Sequence, residues 1–267
     1  MVDYANESSR EACKYLKRDF SLEEAQILVL MEEAAIALFA ALPEHFVLFG
    51  GATLVFFHNS PRLSKDLDLL ARVDSLPSSG ELQSALEERV QEVAGIFGIG
   101  PVTIEPEQNG EQFLRLWIIA SRRQTLFTVD LTRIGGSVLA REIVEETIVL
   151  DESTALIPSV SMKYQLLQKA ETFVSRRMVK TRDAFDMRLL LAEGAVLDET
   201  LKAHLNDLVM WRELDAEQIN ERIEQITPKL CRAELKPVLP EEVYSSLELE
   251  EFESLRAAVR TLFADWL

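Results

Sequence analysis

Apolar residues recur at helical spacing from Ala25 to Leu42, and the run opens at Ser21-Leu-Glu-Glu24, which has the spacing of a capping box. Pro43 ends the run, since proline cannot continue a helix interior. His45-Phe-Val-Leu-Phe49 predicts a short buried strand, the residues from Gly51 onward a helix, and Asp66-Leu-Asp-Leu-Leu70 the next strand. Pro77-Ser-Ser-Gly80 reads as a loop leading into an amphipathic helix from about Glu81 to Ile96. Pro101 to Glu105, Gln112 to Ala120 and Thr125 to Ile134 are further strands, the last two joined by the polar tip Ser121-Arg-Arg-Gln124.

After about Pro158 the periodicity is helical to the end, in pieces near 160–177, 181–193, 198–210, 215–226 and 240–264. Glutamate-rich runs such as Leu247-Glu-Leu-Glu-Glu-Phe-Glu predict solvated helix faces with leucine, phenylalanine and Trp266 turned inward. The expected fold class is α+β, with a small mixed-sheet lobe over 1–158 followed by an all-helical lobe over 159–267. There is no internal repeat and no low-complexity linker.

At 267 residues and 48% hydrophobic content the chain can build a substantial core. No stretch reaches the roughly 18 apolar residues of a membrane span, and the first residues are too polar for a secretory signal, so a cytoplasmic location is expected. Cys13 and Cys231 lie far apart, and with only three histidines in the chain neither a disulfide framework nor a zinc site is expected. The net charge of −17 argues against DNA binding, because lysine and arginine supply most nonspecific grip on nucleic acid. The charge is uneven: residues 1–160 carry −12, residues 161–192 carry +4, and residues 193–267 carry −9.

Candidate chemistry concentrates in Gly50-Gly51-Ala-Thr-Leu54 and Arg62-Leu-Ser64-Lys65-Asp66-Leu-Asp68. Alternate residues of a strand share a face, so Asp66 and Asp68 project two carboxylates together. Paired carboxylates repel unless a cation sits between them, and hard ions such as Mg²⁺ take carboxylates together with substrate phosphates. Glycine at a strand-to-helix junction lets backbone approach a ligand, where free helix N–H groups receive phosphate. Asp130 stands in the otherwise apolar strand Leu126-Phe-Thr-Val-Asp130 and is the expected third ligand; the alternative is an exposed strand-end aspartate paired with Arg133 or a lysine. Three such carboxylates on adjacent strands can hold two Mg²⁺ ions for in-line displacement at phosphorus, and one of them can accept the proton of the attacking hydroxyl.

The order G-G-x-x-L, then R-x-S-x-D-x-D-L, resembles the signature of the nucleotidyltransferase superfamily with the DNA polymerase β-like fold. Within it the chain is most similar to the AbiEii/AbiGii-type toxins of bacterial toxin–antitoxin and phage-defence systems, with G-G-A-T-L in place of the usual G-G-T-A-L. The family's second signature, a helical lysine followed by Arg/Lys-Asp-x-x-Asp, matches Lys163 to Lys169 and Lys180-Thr-Arg182-Asp183-Ala-Phe-Asp186, inside the basic segment.

The resemblance implies an NTP substrate, one or two Mg²⁺ ions, an antitoxin partner and a tRNA 3′ end as acceptor. It implies Asp66, Asp68, Asp130, Lys163 and Asp183 as catalytic, and Gly50, Gly51, Ser64, Lys65, Lys163, Lys169, Arg182 and Asp186 as nucleotide-binding. Lys163 and Lys169 lie about 120° apart on a helix, so one of them faces a site, and Lys163 is favoured for the phosphates. Asp183 and Asp186 share a helix face and can pair with a lysine or Arg182; alternatively Arg182-Asp183 and Asp186-Arg188 form only a salt-bridge network tying the helical lobe to the catalytic one. Arg176, Arg177 and Lys180 are expected to be exposed. Two other functions stay open, a small cationic acceptor such as an aminoglycoside and a catalytically silent nucleotide- or protein-binding member.

Overall fold

The computed structural model describes residues 7–72, 76–109, 112–133, 142–150 and 153–267. They form two compact units, Met1–Val160 and Ser161–Leu267, in a mixed α+β architecture.

In the first unit α1 (Glu7–Leu16) and α2 (Leu22–Ala41) precede β1 (Phe46–Phe49), α3 (Gly50–Phe57), β2 (Asp66–Ala71) and α4 (Ser79–Ile96). Five strands follow: β3 (Val102–Asn109), β4 (Phe113–Ala120), β5 (Gln124–Arg133), β6 (Ile143–Leu150) and β7 (Ser153–Val160). They make one sheet in the order β3-β4-β5-β2-β1-β7-β6, parallel between β2 and β5 and between β1 and β7, antiparallel elsewhere. The capping box predicted at Ser21 forms, with Ser21 Oγ accepting from Glu24 N and the Glu24 carboxylate accepting from Ser21 N. A second one, at Ser78 and Glu81, starts α4.

Helix α2 is buried on nearly every side, between α1, α4 and the sheet, which is why its apolar residues run almost unbroken. Its two buried acids are paired, Glu32 with Lys14 and Glu33 with Arg89. Leu114, Leu116 and Ile118 of β4 point into the core, and the alternate residues Phe113, Arg115 and Trp117 lie half-exposed on the opposite face.

The strands β6 and β7 are absent from the sequence expectation. Glu145-Glu146 interrupts the alternation of β6, and Pro158, which has no N–H to give a ladder, marks β7 as a non-strand. Proline is accommodated because the β1–β7 ladder is short, registering Leu48 with Ser159. Helix α1 was likewise not predicted, and the predicted end of β5 at Ile134 falls outside the described residues.

The second unit is helical: α5 (Met162–Ser175), α6 (Thr181–Ala192), α7 (Glu199–Trp211), α8 (Ala216–Glu224), α9 (Pro228–Leu235), α10 (Glu241–Leu249) and α11 (Glu253–Leu262). Two details differ from the sequence expectation. Helix α9, with Thr227 as N-cap and Pro228 in the first turn, fills the stretch between the helices expected over 215–226 and 240–264. The single helix expected over 240–264 is two, because Glu251 and Phe252 take left-handed backbone (φ 52° and 61°) so that Phe252 can bury its ring completely. Among the described residues no helix is long and apolar enough to cross a membrane.

Candidate active site

The glycine pair begins α3, whose N-cap residue Phe49 offers no side-chain cap, so the first-turn N–H groups have no side-chain acceptor from that position. Phe49 registers with Asp68 across the β1–β2 ladder, which brings the next residue, Gly50, against the Asp68 side chain. A Cβ on Gly50 would lie 2.3 Å from Asp68 Oδ2, and the residue's φ of +77° is itself a glycine conformation. A Cβ on Gly51 would lie 2.4 Å from Ser64 Oγ and 2.9 Å from Arg62 Nη2. Each glycine is therefore required by one member of the downstream motif, and Ser64 and Arg62 are both buried.

Asp66 and Asp68 share one face of β2 and are half-exposed, while Lys65 is exposed and precedes the strand. In the parallel ladder Asp66 registers with Thr128 and Asp68 with Asp130, so the three aspartates lie on one face in two adjacent rungs. Thr128 Oγ1 donates to Asp66 Oδ1 at 3.0 Å and orients it.

The rung of Asp68 and Asp130 continues to Arg115 on β4. Arg115 Nε donates to Asp130 Oδ1 at 2.7 Å and Nη2 donates to Asp130 Oδ2, a bidentate fork that occupies both carboxylate oxygens. The alternative partner expected for Asp130 was Arg133 or a lysine at an exposed strand end; the partner is Arg115, and Asp130 is buried mid-sheet. Hydrogen bonding to Asp130 raises the guanidinium above the usual arginine range, partial burial opposes this, and the charges of Asp130, Asp66 and Glu107 add to the rise.

Asp66 and Asp68, two hard oxygen donors on one face, fit a single divalent ion such as Mg²⁺. Asp130, the expected third ligand, lies on the same face, on the rung of Asp68. Both oxygens of Asp130 are engaged, and among the described residues no three of His, Cys, Asp and Glu are placed to hold a metal ion.

In the second unit Lys163 and Lys169, both on α5, diverge as the helical spacing predicts. Lys163 bonds the N-cap carboxylate Asp198 at 2.8 Å and is over a third exposed, at 37%. Lys169 is mostly buried and pairs with Asp186 at 2.7 Å and Asp183 at 3.5 Å. Arg176 is exposed, as expected, and donates to Asp183 at 2.8 Å. Arg182 forms no ion pair among the described residues, and Lys180 pairs with Glu234. Lys169, Asp183, Asp186 and Arg176 thus form a salt-bridge network that joins α5 to α6 inside this unit.

Three residues of the first site escaped the sequence reading: Arg62, Thr128 and Arg115. Arg62 stands in the quoted motif two positions before Ser64, and Thr128 two before Asp130 on its face. Arg115 carried one signal, a charged residue in the strand pattern Phe-Leu-Arg-Leu-Trp at the same parity as two aromatics.

A family model described as nucleotidyl transferase AbiEii toxin, type IV TA system, matches residues 34–263. Among solved structures, one from H. pylori described as that of a candidate nucleotidyltransferase is similar with a TM-score of 0.52 at 15% identity, over 94% of this chain and 96% of that one. MenT4, a nucleotidyltransferase toxin of Mycobacterium tuberculosis H37Rv, is similar with a TM-score of 0.50 at 16% identity, over 96% of this chain and 87% of that one. At these identities the likeness is one of fold. No curated protein sequence matches the chain.

Proposed function

The chain belongs to the AbiEii family of nucleotidyltransferase toxins, and from that premise we propose that it transfers the NMP of an NTP to the 3′ end of a tRNA, using Mg²⁺. Nucleotidyl transfer is the reaction class of the family; the ion, the acceptor and a toxin–antitoxin or phage-defence setting in the cytoplasm, with an antitoxin as partner, are the reading offered here.

The observation that carries it is the packing of Gly50 on Asp68 and of Gly51 on Ser64, which joins a phosphate-type helix N-terminus to a pair of metal-type carboxylates. In this reading the first N–H groups of α3 and the Ser64 hydroxyl receive the triphosphate, with Lys65 at the rim. Asp66, oriented by Thr128, and Asp68 hold the ion, which supplies charge neutralisation at the phosphate oxygens. Within the helical unit Lys163 is the candidate for a nucleotide phosphate, and the pair of Lys169 with Asp186 holds α5, which carries it, against α6.

A small cationic acceptor is the second reading, favoured by the net charge of −17, which attracts an aminoglycoside and repels RNA. Incubation with labelled NTPs and either total tRNA or a panel of aminoglycosides separates the two; label on neither, with folded protein and Mg²⁺, overturns both. Asp68→Asn should abolish transfer with an unchanged circular dichroism spectrum, because it alters an ion ligand without changing side-chain volume. Full activity of that variant would remove Asp68 from the ion site.

A further inference from the structure

Resting on the nucleotidyltransferase reading, we infer that Arg18 is a positioning residue for the nucleotide site: from the turn after α1 it fixes the connection between α3 and β2, and with it the Ser64 hydroxyl offered to the triphosphate.

The connection over 58–65 has no helix or strand of its own, yet Ser60, Arg62, Leu63 and Ser64 are buried in it. Buried backbone outside regular structure needs hydrogen-bond partners brought from elsewhere. Arg18 Nη1 donates to Val55 O at 2.9 Å and Arg18 Nη2 donates to Ser60 O at 2.8 Å. Val55 lies in the last turn of α3, where carbonyls look outside the helix for donors and a cation meets the negative end of the helix dipole. Ser60 passes the constraint on: its Oγ accepts from Arg62 N at 3.2 Å, and Arg62 Nη1 donates to Leu63 O at 3.2 Å. The next residue is Ser64, packed so closely on Gly51 that a Cβ there would lie 2.4 Å from its hydroxyl oxygen. One guanidinium thus holds the far end of the glycine helix and the start of the loop that returns to its N-terminus.

The guanidinium is itself held. Its carbon lies 5.3 Å from the ring centre of Tyr15 and 5.5 Å from that of Phe20, and the two buried rings pack edge-on with centres 5.9 Å apart. The turn that carries it is closed by Arg18 N and Phe20 N, which both donate to Tyr15 O, at 2.9 Å and 3.3 Å. Burial pushes the guanidinium below the usual arginine range, while the charges of Tyr15 and Glu32 raise it. Arginine stays charged through such a shift. Two carbonyls on different residues call for a planar fork, which a lysine ammonium does not offer.

A residue that only stabilised the unit would change the folded fraction and leave the nucleotide affinity of the folded protein alone. The test is therefore a double-mutant cycle on binding, measured by calorimetry on the full chain with Mg²⁺ and each of the four ribonucleoside triphosphates. For the triphosphate that wild type binds most tightly, Arg18→Met and Ser64→Ala should each weaken binding by about tenfold. Together they should also cost about tenfold and not about a hundredfold, because Arg18 acts through Ser64. Arg18→Lys keeps the charge and reaches one carbonyl; it should weaken binding by about threefold, and it covers the case in which Arg18→Met does not fold. Lys17→Ala, at the exposed neighbouring position, should match wild type. Affinity unchanged in the folded Arg18 variants overturns the inference, as does a fully multiplicative loss in the double variant. NMP transfer is measured on the same samples, where the KM for NTP should rise and kcat hold. Binding that depends on Arg18, with no transfer to any acceptor, supports the inference and faults the function. Transfer with unchanged nucleotide affinity in the Arg18 variants overturns the inference and leaves the function standing, and a wild type that binds none of the four overturns both.

Discussion

Gly50→Ala separates two costs that usually arrive together. The residue sits at φ +77°, and a left-handed backbone costs a residue with a Cβ roughly 1–2 kcal/mol. For a unit of this size about 1 kcal/mol corresponds to about 2–4 °C, so the melting temperature should fall by about 2–8 °C. The second cost is the new methyl group, 2.3 Å from Asp68 Oδ2, where ordinary contact begins at 3.4 Å. The carboxylate must retreat by about an ångström, and a displacement of that size at a reacting centre costs on the order of 10²-fold in rate. Gly98 supplies the control, since it has φ +70° and nothing within 4 Å of a Cβ. Gly98→Ala should therefore lower the melting temperature similarly while sparing Mn²⁺ affinity and NMP transfer. Calorimetry, Mn²⁺ titration and transfer assays on both variants read the difference. Equal Mn²⁺ affinity and transfer in the two would refute the claim that Gly50 exists to admit the Asp68 carboxylate.

The helical unit offers two further tests. Lys169→Met removes the 2.7 Å partner of Asp186, which is fully buried, and should destabilise that unit by up to about 3–5 kcal/mol in urea unfolding; Lys163→Ala breaks an exposed pair, so transfer should drop while stability changes by less than about 1 kcal/mol. For Glu234, burial alone would raise the carboxyl, but the ion pair with Lys180 and the hydrogen bonds from Thr181 N and Oγ1 outweigh it and hold the group below the usual glutamate range. A depressed carboxylate contributes stability above its unfolded pKa and loses it as pH falls through the folded value. Glu234→Gln should accordingly lower stability at neutral pH and flatten its decline below the ordinary glutamate pKa, as read from chemical melts across that range; an unchanged pH slope would show that the carboxylate contributes nothing.

What could be read from the chain was whatever its local spacing encodes. The capping box at Ser21, the strand carrying Asp66 and Asp68, and the glycine pair at a strand-to-helix junction all express periodicity or turn chemistry within about twenty residues. What escaped depends on partners far along the chain. Pro158 reads as a strand breaker until the shortness of the β1–β7 ladder is known. Lys169 and Lys163 were correctly separated by helical angle, yet only the packing of α6 on α5 shows that Lys169 faces Asp186. Arg115 is the sharpest case, because β4 lies two strands from β2 in the sheet and nothing near residue 115 specifies that its rung ends on Asp130 and Asp68.

The Phe113-Arg115-Trp117 face also carries an optical consequence. The chain has three tryptophans, and Trp117 is the one in the first unit, the others being Trp211 and Trp266. Its indole is anchored through Nε1 to Glu107 at 2.8 Å, so its position is fixed while the Arg115 guanidinium lies against its ring. With Trp211 and Trp266 replaced by phenylalanine, emission from the remaining indole reports whether the arginine is at rest on the aspartate rung or has been drawn away. The protein thus carries a fluorophore in contact with the guanidinium that holds Asp130.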